Sequence, residues 1–447
     1  MFATTDESGA LNKVKLTGNI LFSGIGAQER GFEDSGLFEI EVLTTSDICK
    51  EAVLSYAAIH CGLTNEAIDN YKNYPSREEM AQHLTDINLG YEPEKNKSYD
   101  WFKLIKKKNK DLEKYWLACK LSNNLGDISK IEDLPYADFW TVSFCCQDIS
   151  VAGKMKGLKP DSGTRSSLLW DNIKLLDKAK NNGTLPKYIM IENVKNLVGN
   201  AFINDFNNLI EVLDELGFNT YWKVINGKDC GVPQNRERVF VIAIRKDIDT
   251  SEFTFPKPFD NGMRLRDILE DTADEKYYLP DLKIGDIDTP DNSYCIDANY
   301  HKGTNVKQYL LKHRRQLVFE NRNSNDINML GLLNIRGNEQ VRRVYGEDGI
   351  SPTLNTMQGG NRQPKVLKNR TRVRKLTPKE CWRLMGFRDS DCNAASNIGI
   401  ADTHLYKQAG NSIITNCVRL LAEHLYKAQY NNTYECSDEN FIRSQAD

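Results

Sequence analysis

The feature that most constrains the fold is an alternation of strand-like and helix-like segments over the first 245 residues. In Gly18–Phe32, an apolar run reaches glycines and then a stretch with helical apolar spacing, which is typical of strand, tight turn and helix. The predicted strands that follow are Ile40–Leu43, Phe139–Phe144, Tyr188–Ile191 and Val239–Ile244, and the predicted helices are Glu51–His60, Leu168–Lys180 and Phe206–Leu216. This order predicts an α/β fold with a mostly parallel sheet covered on both faces.

Composition excludes several classes of protein. The chain has 447 residues, enough for two or three domains, and its 40% hydrophobic and 27% charged content excludes global disorder. No apolar run is long enough for a membrane span, and residues 1–15 lack a signal-peptide pattern, so we expect a cytoplasmic protein without membrane contact. The eleven cysteines include no Cys-x-x-Cys pair, which argues against a metal site and a disulfide framework.

The near-neutral net charge of −3 conceals two charged segments. Residues 251–300 hold 5 basic and 12 acidic side chains, whereas residues 301–383 hold 18 basic and 6 acidic ones. A strongly basic segment in an otherwise acidic chain indicates a phosphate-binding surface. A smaller lysine cluster, Lys103–Lys110, lies in a polar stretch over 62–125 that interrupts the alternation. It is more typical of a solvated helical insertion than of a phosphate-contacting arm.

Three further features suggest a nucleotide-like ligand and a nucleophile. The glycines of Phe22–Gly26 let the backbone approach a ligand, Asp47 follows the second strand where an acid can accept ribose hydroxyls, and Asp127 precedes another strand. Taken by itself, each aspartate is better explained as an ordinary cap or turn residue. Cys146 follows a predicted buried strand, where a thiolate nucleophile or an inert buried thiol are both possible.

Six ordered motifs carry a family resemblance. They are Phe22-x-Gly-x-Gly, Cys146-Gln147, Glu192-Asn193-Val194, Gln234-x-Arg236-x-Arg238, Arg374-Lys-Leu-Thr-Pro-x-Glu380 and Gln408-x-Gly-Asn-Ser412. In this order and spacing, from about residue 18 to 425, the chain resembles the DNA (cytosine-5)-methyltransferases of bacteria and phages, which include restriction-modification enzymes. The resemblance implies a Rossmann-like S-adenosylmethionine-dependent methyltransferase domain with a smaller, irregular target-recognition domain.

The resemblance also implies a catalytic set. Cys146 would attack C6 of cytosine to give a covalent intermediate, and Glu192 would donate a hydrogen bond or a proton at N3. Arg238, and with it Arg236, would bind O2 of the base. The family's proline before the nucleophile is replaced here by Cys145, which removes a restriction on φ and adds a second thiol.

The cofactor implied by the resemblance is S-adenosyl-L-methionine. Residues matching its binding motifs are Phe22, Gly24, Ile25, Gly26, Asp47, Ile48, Asp127, Ile128, Leu168, Asn411 and Ser412. Because Asn411 and Ser412 would close the site, the catalytic domain is expected to be discontinuous. We expect it to comprise residues 1–245 and 401–435, with target recognition in 246–400 and a C-terminal tail in 436–447.

The implied partner is double-stranded DNA, with the target cytosine flipped into the site. Expected DNA contacts are Gln147, Ser150, Lys154, Arg165, Gln234, Arg336, Arg342, Arg343 and Arg362. We expect a monomer, with a restriction endonuclease only as a genetic partner. The alternatives are a catalytically weak or non-catalytic DNA-binding relative, suggested by Cys145, and a tRNA cytosine-5 methyltransferase.

Overall fold

A computed structural model describes most of the chain. The described residues are 13–93, 95–143, 168–277, 329–333, 335–336, 338–347, 349–354, 356, 363–368 and 372–446. Six predicted site residues lie outside these ranges: Cys146, Gln147, Ser150, Lys154, Arg165 and Arg362. None of the helices in the described part of the chain combines the length and the apolar run that a bilayer crossing requires.

A six-stranded sheet forms the centre of the molecule. Its strands are β1 (Val14–Leu21), β2 (Phe38–Ser46), β3 (Phe139–Thr141), β4 (Tyr188–Val194), β5 (Phe218–Asn226) and β7 (Glu237–Arg245), in the order β2-β1-β3-β4-β7-β5. The predicted mostly parallel sheet is confirmed, because β2, β1, β3 and β4 pair in parallel. Strand β7 is antiparallel to both of its neighbours. The short link 227–236 explains this, since a parallel return needs a longer crossover.

Both faces of the sheet are buried, as the continuous apolar runs predict. Along β4, Tyr188 and Met190 enter one hydrophobic core while Ile189 and Ile191 enter the other. The first face is covered by α1 (Ala27–Ser35) and α2 (Lys50–His60), and the second by α6 (Leu168–Asn181) and α7 (Ile203–Leu216). The predicted helices at 51–60, 168–180 and 206–216 therefore form, with ends shifted by up to three residues.

The segment 62–125 folds as a helical insertion. Its helices are α3 (Asn65–Asn70), α4 (Arg77–Asp86) and α5 (Asp111–Leu121). The buried side chains of Leu84, Trp101 and Leu117 join the same core as α1 and α2. In the lysine cluster, Lys103 pairs with Asp100 at 3.2 Å.

After Arg245 the chain builds smaller sheets and then returns to the first core. The strands after Arg245 are β8 (Met329–Leu332), β9 (Arg343–Gly346), β10 (Ser351–Pro352), β11 (Lys365–Lys368) and β12 (Arg372–Lys375), with β12-β11-β9-β8 in one sheet. Strand β10 pairs with β6 (Gln234–Asn235), a short strand that precedes β7. The helices are α8 (Glu339–Arg342), α9 (Pro378–Leu384), α10 (Asp389–Asn397), α11 (Asp402–Asn411), α12 (Thr415–Gln429) and α13 (Ser437–Ala446). Helices α9 and α10 already pack into the core that α1 and α2 share, although they precede the expected boundary at residue 400.

Candidate active site at the carboxyl edge of the sheet

The loop after β1 has the conformation that its glycines predict. Phe22, Gly24 and Gly26 have φ values of 54°, 55° and 80°. This left-handed region costs a β-carbon energy, so Phe22 is strained. A Cβ added to Gly24 would meet nothing within 4 Å, whereas one added to Gly26 would lie 2.0 Å from Nε2 of His60. The loop therefore faces open space at Gly24 and packs tightly inwards at Gly26.

Asp47 connects this loop to the next helix. Its Oδ2 accepts a hydrogen bond from the Gly24 amide at 3.0 Å, and its Oδ1 accepts one from the Cys49 amide at 2.7 Å. The side chain of Asn124 exchanges two bonds with the backbone of Asp47, at 2.9 and 3.0 Å. Burial raises the pKa of Asp47, although the hydrogen bonds from the backbone amides of Cys49 and Gly24 lower it. The arrangement holds a carboxylate beside the open side of the glycine loop.

Asp127 is fixed in a similar way. Its Oδ2 accepts from Asn88 Nδ2 at 2.7 Å, and its Oδ1 accepts from the amide and hydroxyl of Ser129 at 3.1 and 2.8 Å. The preceding Gly126 has a φ of 72°, and a Cβ there would lie 1.9 Å from the Ile87 carbonyl oxygen. Only glycine fits this turn, which orients Asp127.

The C-terminal motif reaches the same region through α11. Gln408 donates from Nε2 to the Glu51 carbonyl oxygen at 3.0 Å and to Ser55 Oγ at 2.9 Å, which ties α11 to α2. The predicted cofactor residue Asn411 ends α11 and is exposed, and Ser412 follows it. At another point of the edge, Leu168 begins α6, and both it and Phe22 pack against the second core.

Glu192 and Arg238 lie side by side on the adjacent strands β4 and β7. Arg238 Nε is 3.1 Å from Glu192 Oε1, and both side chains are largely buried, at 16% and 12% exposure. Burial raises the pKa of Glu192, while Arg238 and then Arg236 lower it. The burial effect is the largest, so the Glu192 carboxyl keeps its proton to a higher pH than a solvated glutamate.

Arg236 has a different environment from Arg238. It is 3% exposed, and its guanidinium donates to the carbonyl oxygens of Leu354, Gly410 and Ser412 at 3.0, 3.1 and 2.8 Å. These three carbonyls belong to two distant segments that meet beside Glu192. This geometry makes Arg236 a structural clamp, a side chain that holds Leu354 and the segment 410–412 together. It gives no support to the predicted catalytic role of Arg236 at O2 of the base.

Gln234 is likewise buried, with no exposed surface. Its Nε2 donates to the Leu384 carbonyl oxygen at 2.8 Å, and its Oε1 accepts from the Leu354 amide at 3.0 Å. A side chain enclosed in this way does not meet DNA in this conformation. Gln234 therefore links β6 to Leu354 and to the end of α9, and its DNA contact stays a prediction.

Three arginines predicted to contact DNA lie on the smaller sheet region. Arg336 is exposed. Arg343 pairs with Glu339 at 2.8 Å, and Arg342 donates from Nε to the Leu333 carbonyl oxygen at 2.8 Å. Arg336 is thus the most accessible of the three, and Arg342 is partly committed to holding its own loop.

One buried group outside this edge has the side chains of a metal site. His424, Cys436 and Asp438 have ligand atoms within 4.8 Å of one another, and no other such group occurs in the described ranges. Both ring nitrogens of His424 already have partners, Thr254 Oγ1 at 3.0 Å and Asp438 Oδ1 at 3.0 Å. These bonds fix the C-terminal helix α13 onto α12.

The topology brings the remaining predicted residues to one edge. Parallel strands β1, β2, β3 and β4 end together, which places Phe22–Gly26, Asp47 and Glu192 along their carboxyl ends. Arg238 lies opposite Val194 at the end of β4. The described chain after β3 reaches Ser143, three residues before Cys146, and Val142 donates to the Met190 carbonyl oxygen at 2.9 Å. Ligands of open α/β sheets bind at this edge.

Sequence reasoning missed several side chains that organise the site. Asn88 and Asn124 orient Asp127 and Asp47 from other parts of the chain, and Gln408 ties the helix that ends at Asn411 to α2. Only Gln408 lay in a quoted motif. A lone asparagine in a polar insertion carries no signal of its position, because its partner is set by tertiary packing.

The chain is similar to known methyltransferases. The family model described as C-5 cytosine-specific DNA methylase matches residues 84–427. The type II methyltransferase M2.ScrFI of Lactococcus lactis subsp. cremoris is 38% identical over 413 residues, covering 91% of this chain and 98% of that protein. The orphan methyltransferase M.SssI of Spiroplasma monobiae is 30% identical, covering 88% and 92%. The solved Entamoeba histolytica methyltransferase EhMeth matches with a TM-score of 0.50 and 14% identity, covering 93% and 99%, which indicates a shared fold.

Proposed function

We propose a mechanism for this chain, which belongs to the C-5 cytosine-specific DNA methylase family and is a DNA cytosine-5 methyltransferase. The proposed methyl donor is S-adenosylmethionine, and the proposed substrate is a cytosine within a short sequence of duplex DNA. The target base lies inside the duplex, so it must leave the base stack before the reaction. The observation that carries the residue roles is the buried Glu192–Arg238 pair at the sheet edge.

The residues at the edge fit the proposed cofactor. The open side of the loop at Gly24 lets a ligand approach the backbone, and the carboxylates of Asp47 and Asp127 supply two acceptors for hydroxyl or amino groups. Leu168 would add an apolar contact, and Asn411 with Ser412 would close the site. S-adenosylmethionine, when bound, supplies an electrophilic methyl group.

The reaction needs a more nucleophilic C5 than free cytosine has. We assign Cys146 as the thiolate that forms a bond to C6. The electrons of the C5–C6 double bond then shift through C4 towards N3, which gives an enamine with a nucleophilic C5. Glu192, whose pKa is raised by burial, would donate its proton at N3, and Arg238 would donate to O2. C5 then takes the methyl group, N3 returns its proton to Glu192, and a base removes the proton from C5. The C6–sulfur bond breaks as the C5–C6 double bond re-forms, which releases the Cys146 thiolate.

Recognition of DNA is assigned to 246–400. The supporting observation is the net charge of residues 301–383, which contain 18 basic and 6 acidic side chains. Phosphate contacts from such a surface position the protein, and base contacts then select the sequence. The exposed Arg336 suits a phosphate contact.

The proposed nucleophile is tested by expressing the protein in a host whose DNA lacks cytosine-5 methylation and sequencing the DNA after bisulfite treatment. The intact protein is expected to methylate one short sequence, and Cys146→Ala is expected to abolish the signal. Cys145→Ala is the matched control, because it removes the neighbouring thiol and should leave methylation in place. Persistent methylation by Cys146→Ala, or loss only with Cys145→Ala, would overturn the assignment of the nucleophile.

A further inference from the structure

A buried polar cluster behind the glycine loop has no part in the mechanism above. Glu29 lies in the first turn of α1, and the hydroxyl of Tyr56 on α2 donates to its Oε1. Its Oε2 is buried and has no hydrogen-bond partner among the described residues. Nearby, His60 Nε2 contacts the Ile25 carbonyl oxygen at 3.2 Å, so it bonds directly to the loop.

The cluster is in close contact with Gly26. A Cβ at this glycine would lie 2.0 Å from His60 Nε2 and 3.0 Å from Glu29 Oε2. The same glycine donates to the Ser23 carbonyl oxygen at 2.9 Å and accepts from the Arg30 amide at 3.0 Å. Any movement of the Glu29 carboxyl therefore acts on the residue that joins the loop to α1.

No described residue forms an ion pair with Glu29. The neighbouring Arg30 pairs with two other carboxylates, Glu33 and, at 2.6 Å, Asp391. The remaining titratable groups near Glu29 are Glu33 and the thiol of Cys61, and neither carries a positive charge. Burial lowers the pKa of His60 to about 4, so its ring is neutral near pH 7. Burial raises the pKa of Glu29 to about 8, which outweighs the hydrogen bond from Tyr56 and the charge of Arg30. An acid in the first helical turn usually favours its charged form, and here burial prevails.

We propose that Glu29 is a positioning residue that holds the cofactor loop in its binding conformation only while its carboxyl group is neutral. Ionisation would leave a buried carboxylate with one hydrogen-bond donor, Tyr56, and such a charge moves towards water or further donors. The movement would displace Gly26 and Ile25 and weaken binding of the cofactor. This inference rests on the proposed function, since it takes S-adenosylmethionine as the ligand of the loop.

The test measures the dissociation constant of S-adenosylmethionine for the full chain between pH 6.5 and 9.5, for the wild type and for Glu29→Gln. Glutamine keeps the acceptor for Tyr56 and cannot ionise. We expect wild-type binding to weaken above about pH 8, by about tenfold between pH 7 and 9 relative to Glu29→Gln. The ratio of the two proteins cancels titration of the cofactor's own amine. Glu39→Gln, an exposed glutamate on β2, is the matched control and should follow the wild type.

Two further measurements separate this role from others. Tyr56→Phe removes a bond that favours the ionised form, so the inflection should move to higher pH. S-adenosylhomocysteine lacks the positive sulfonium and should show the same pH dependence, because the loop conformation affects both ligands. Equal profiles for wild type and Glu29→Gln, or a pH effect confined to S-adenosylmethionine, would overturn the inference. Failure of the wild type to bind S-adenosylmethionine at any pH would instead refute the proposed cofactor.

Discussion

The carboxyl edge of the sheet and the basic segment 301–383 differ in how their proposed functional side chains are held. At the edge, functional side chains are buried and held by backbone groups, as Asp47 is by the Gly24 amide and Arg236 by three carbonyls. In the basic segment, described arginines such as Arg336 and Arg343 are exposed or pair at the surface. The proposed chemistry thus lies on rigid elements, and the proposed phosphate recognition lies on a surface that can vary without disturbing them.

The largest expected effect comes from removing the acid at the edge. Glu192→Gln keeps the shape of the side chain but cannot donate a proton at N3, so kcat should fall by roughly 10²- to 10⁴-fold. In the wild type, the raised pKa of Glu192 predicts that kcat declines as pH rises through that pKa, because the neutral carboxyl is the active form. Single-turnover methylation of a duplex across pH measures both effects. A variant with wild-type rate would remove Glu192 from the reaction.

Arg236 and Arg238 sharpen the comparison within the edge itself. Arg236→Met would leave the carbonyls of Leu354, Gly410 and Ser412 without this donor, so we expect a loss of about 3 kcal/mol or more in the free energy of unfolding. Arg238→Met should chiefly lower the rate. Urea unfolding measures the first, with Arg443→Met, an exposed ion-pair residue at 63% side-chain exposure, as the control expected to lose far less stability. Equal stability of Arg236→Met and the control would contradict the clamp.

The smallest expected effect is on the basic surface. Arg336→Ala should weaken binding to all duplex sequences alike and reduce the slope of log K against log salt by about 1, because one phosphate contact is lost. Fluorescence anisotropy at several salt concentrations measures it. Lys15→Ala, which removes an exposed charge at the opposite edge of the sheet, should leave the slope unchanged. A change in sequence preference without a change in slope would assign Arg336 to a base contact.

The sequence predicted the parts of the fold that depend on local pattern. The buried strands of the sheet, the glycine turn at Phe22–Gly26 and the helices after them followed from apolar spacing and from glycine at required positions. Strand β5 was not predicted, since its exposed and buried positions give no continuous apolar run. The antiparallel direction of β7 also escaped, because direction depends on how the short link 227–236 returns.

The site was predicted by motif order and refined by tertiary contacts. Glu192 and Arg238, both in the predicted catalytic set, form a buried ion pair, whereas Arg236, two residues from Arg238, donates to backbone carbonyls. Residue type and spacing are the same for both arginines, and only packing against 354 and 410–412 separates them. Glu29 had no signal in sequence either, since its importance arises from burial beside Tyr56 and His60.

The most direct test of the proposal that Cys146 attacks the cytosine ring is trapping on duplex DNA that carries 5-fluorocytosine in the methylated sequence. Fluorine replaces the C5 proton that a base would remove after methyl transfer. Because fluorine cannot leave in this way, the covalent intermediate should accumulate. With S-adenosylmethionine present, we predict an adduct that survives denaturing electrophoresis for the wild type and is absent for Cys146→Ala. Methylation of normal duplex DNA without any adduct on the fluorinated duplex would contradict the covalent mechanism.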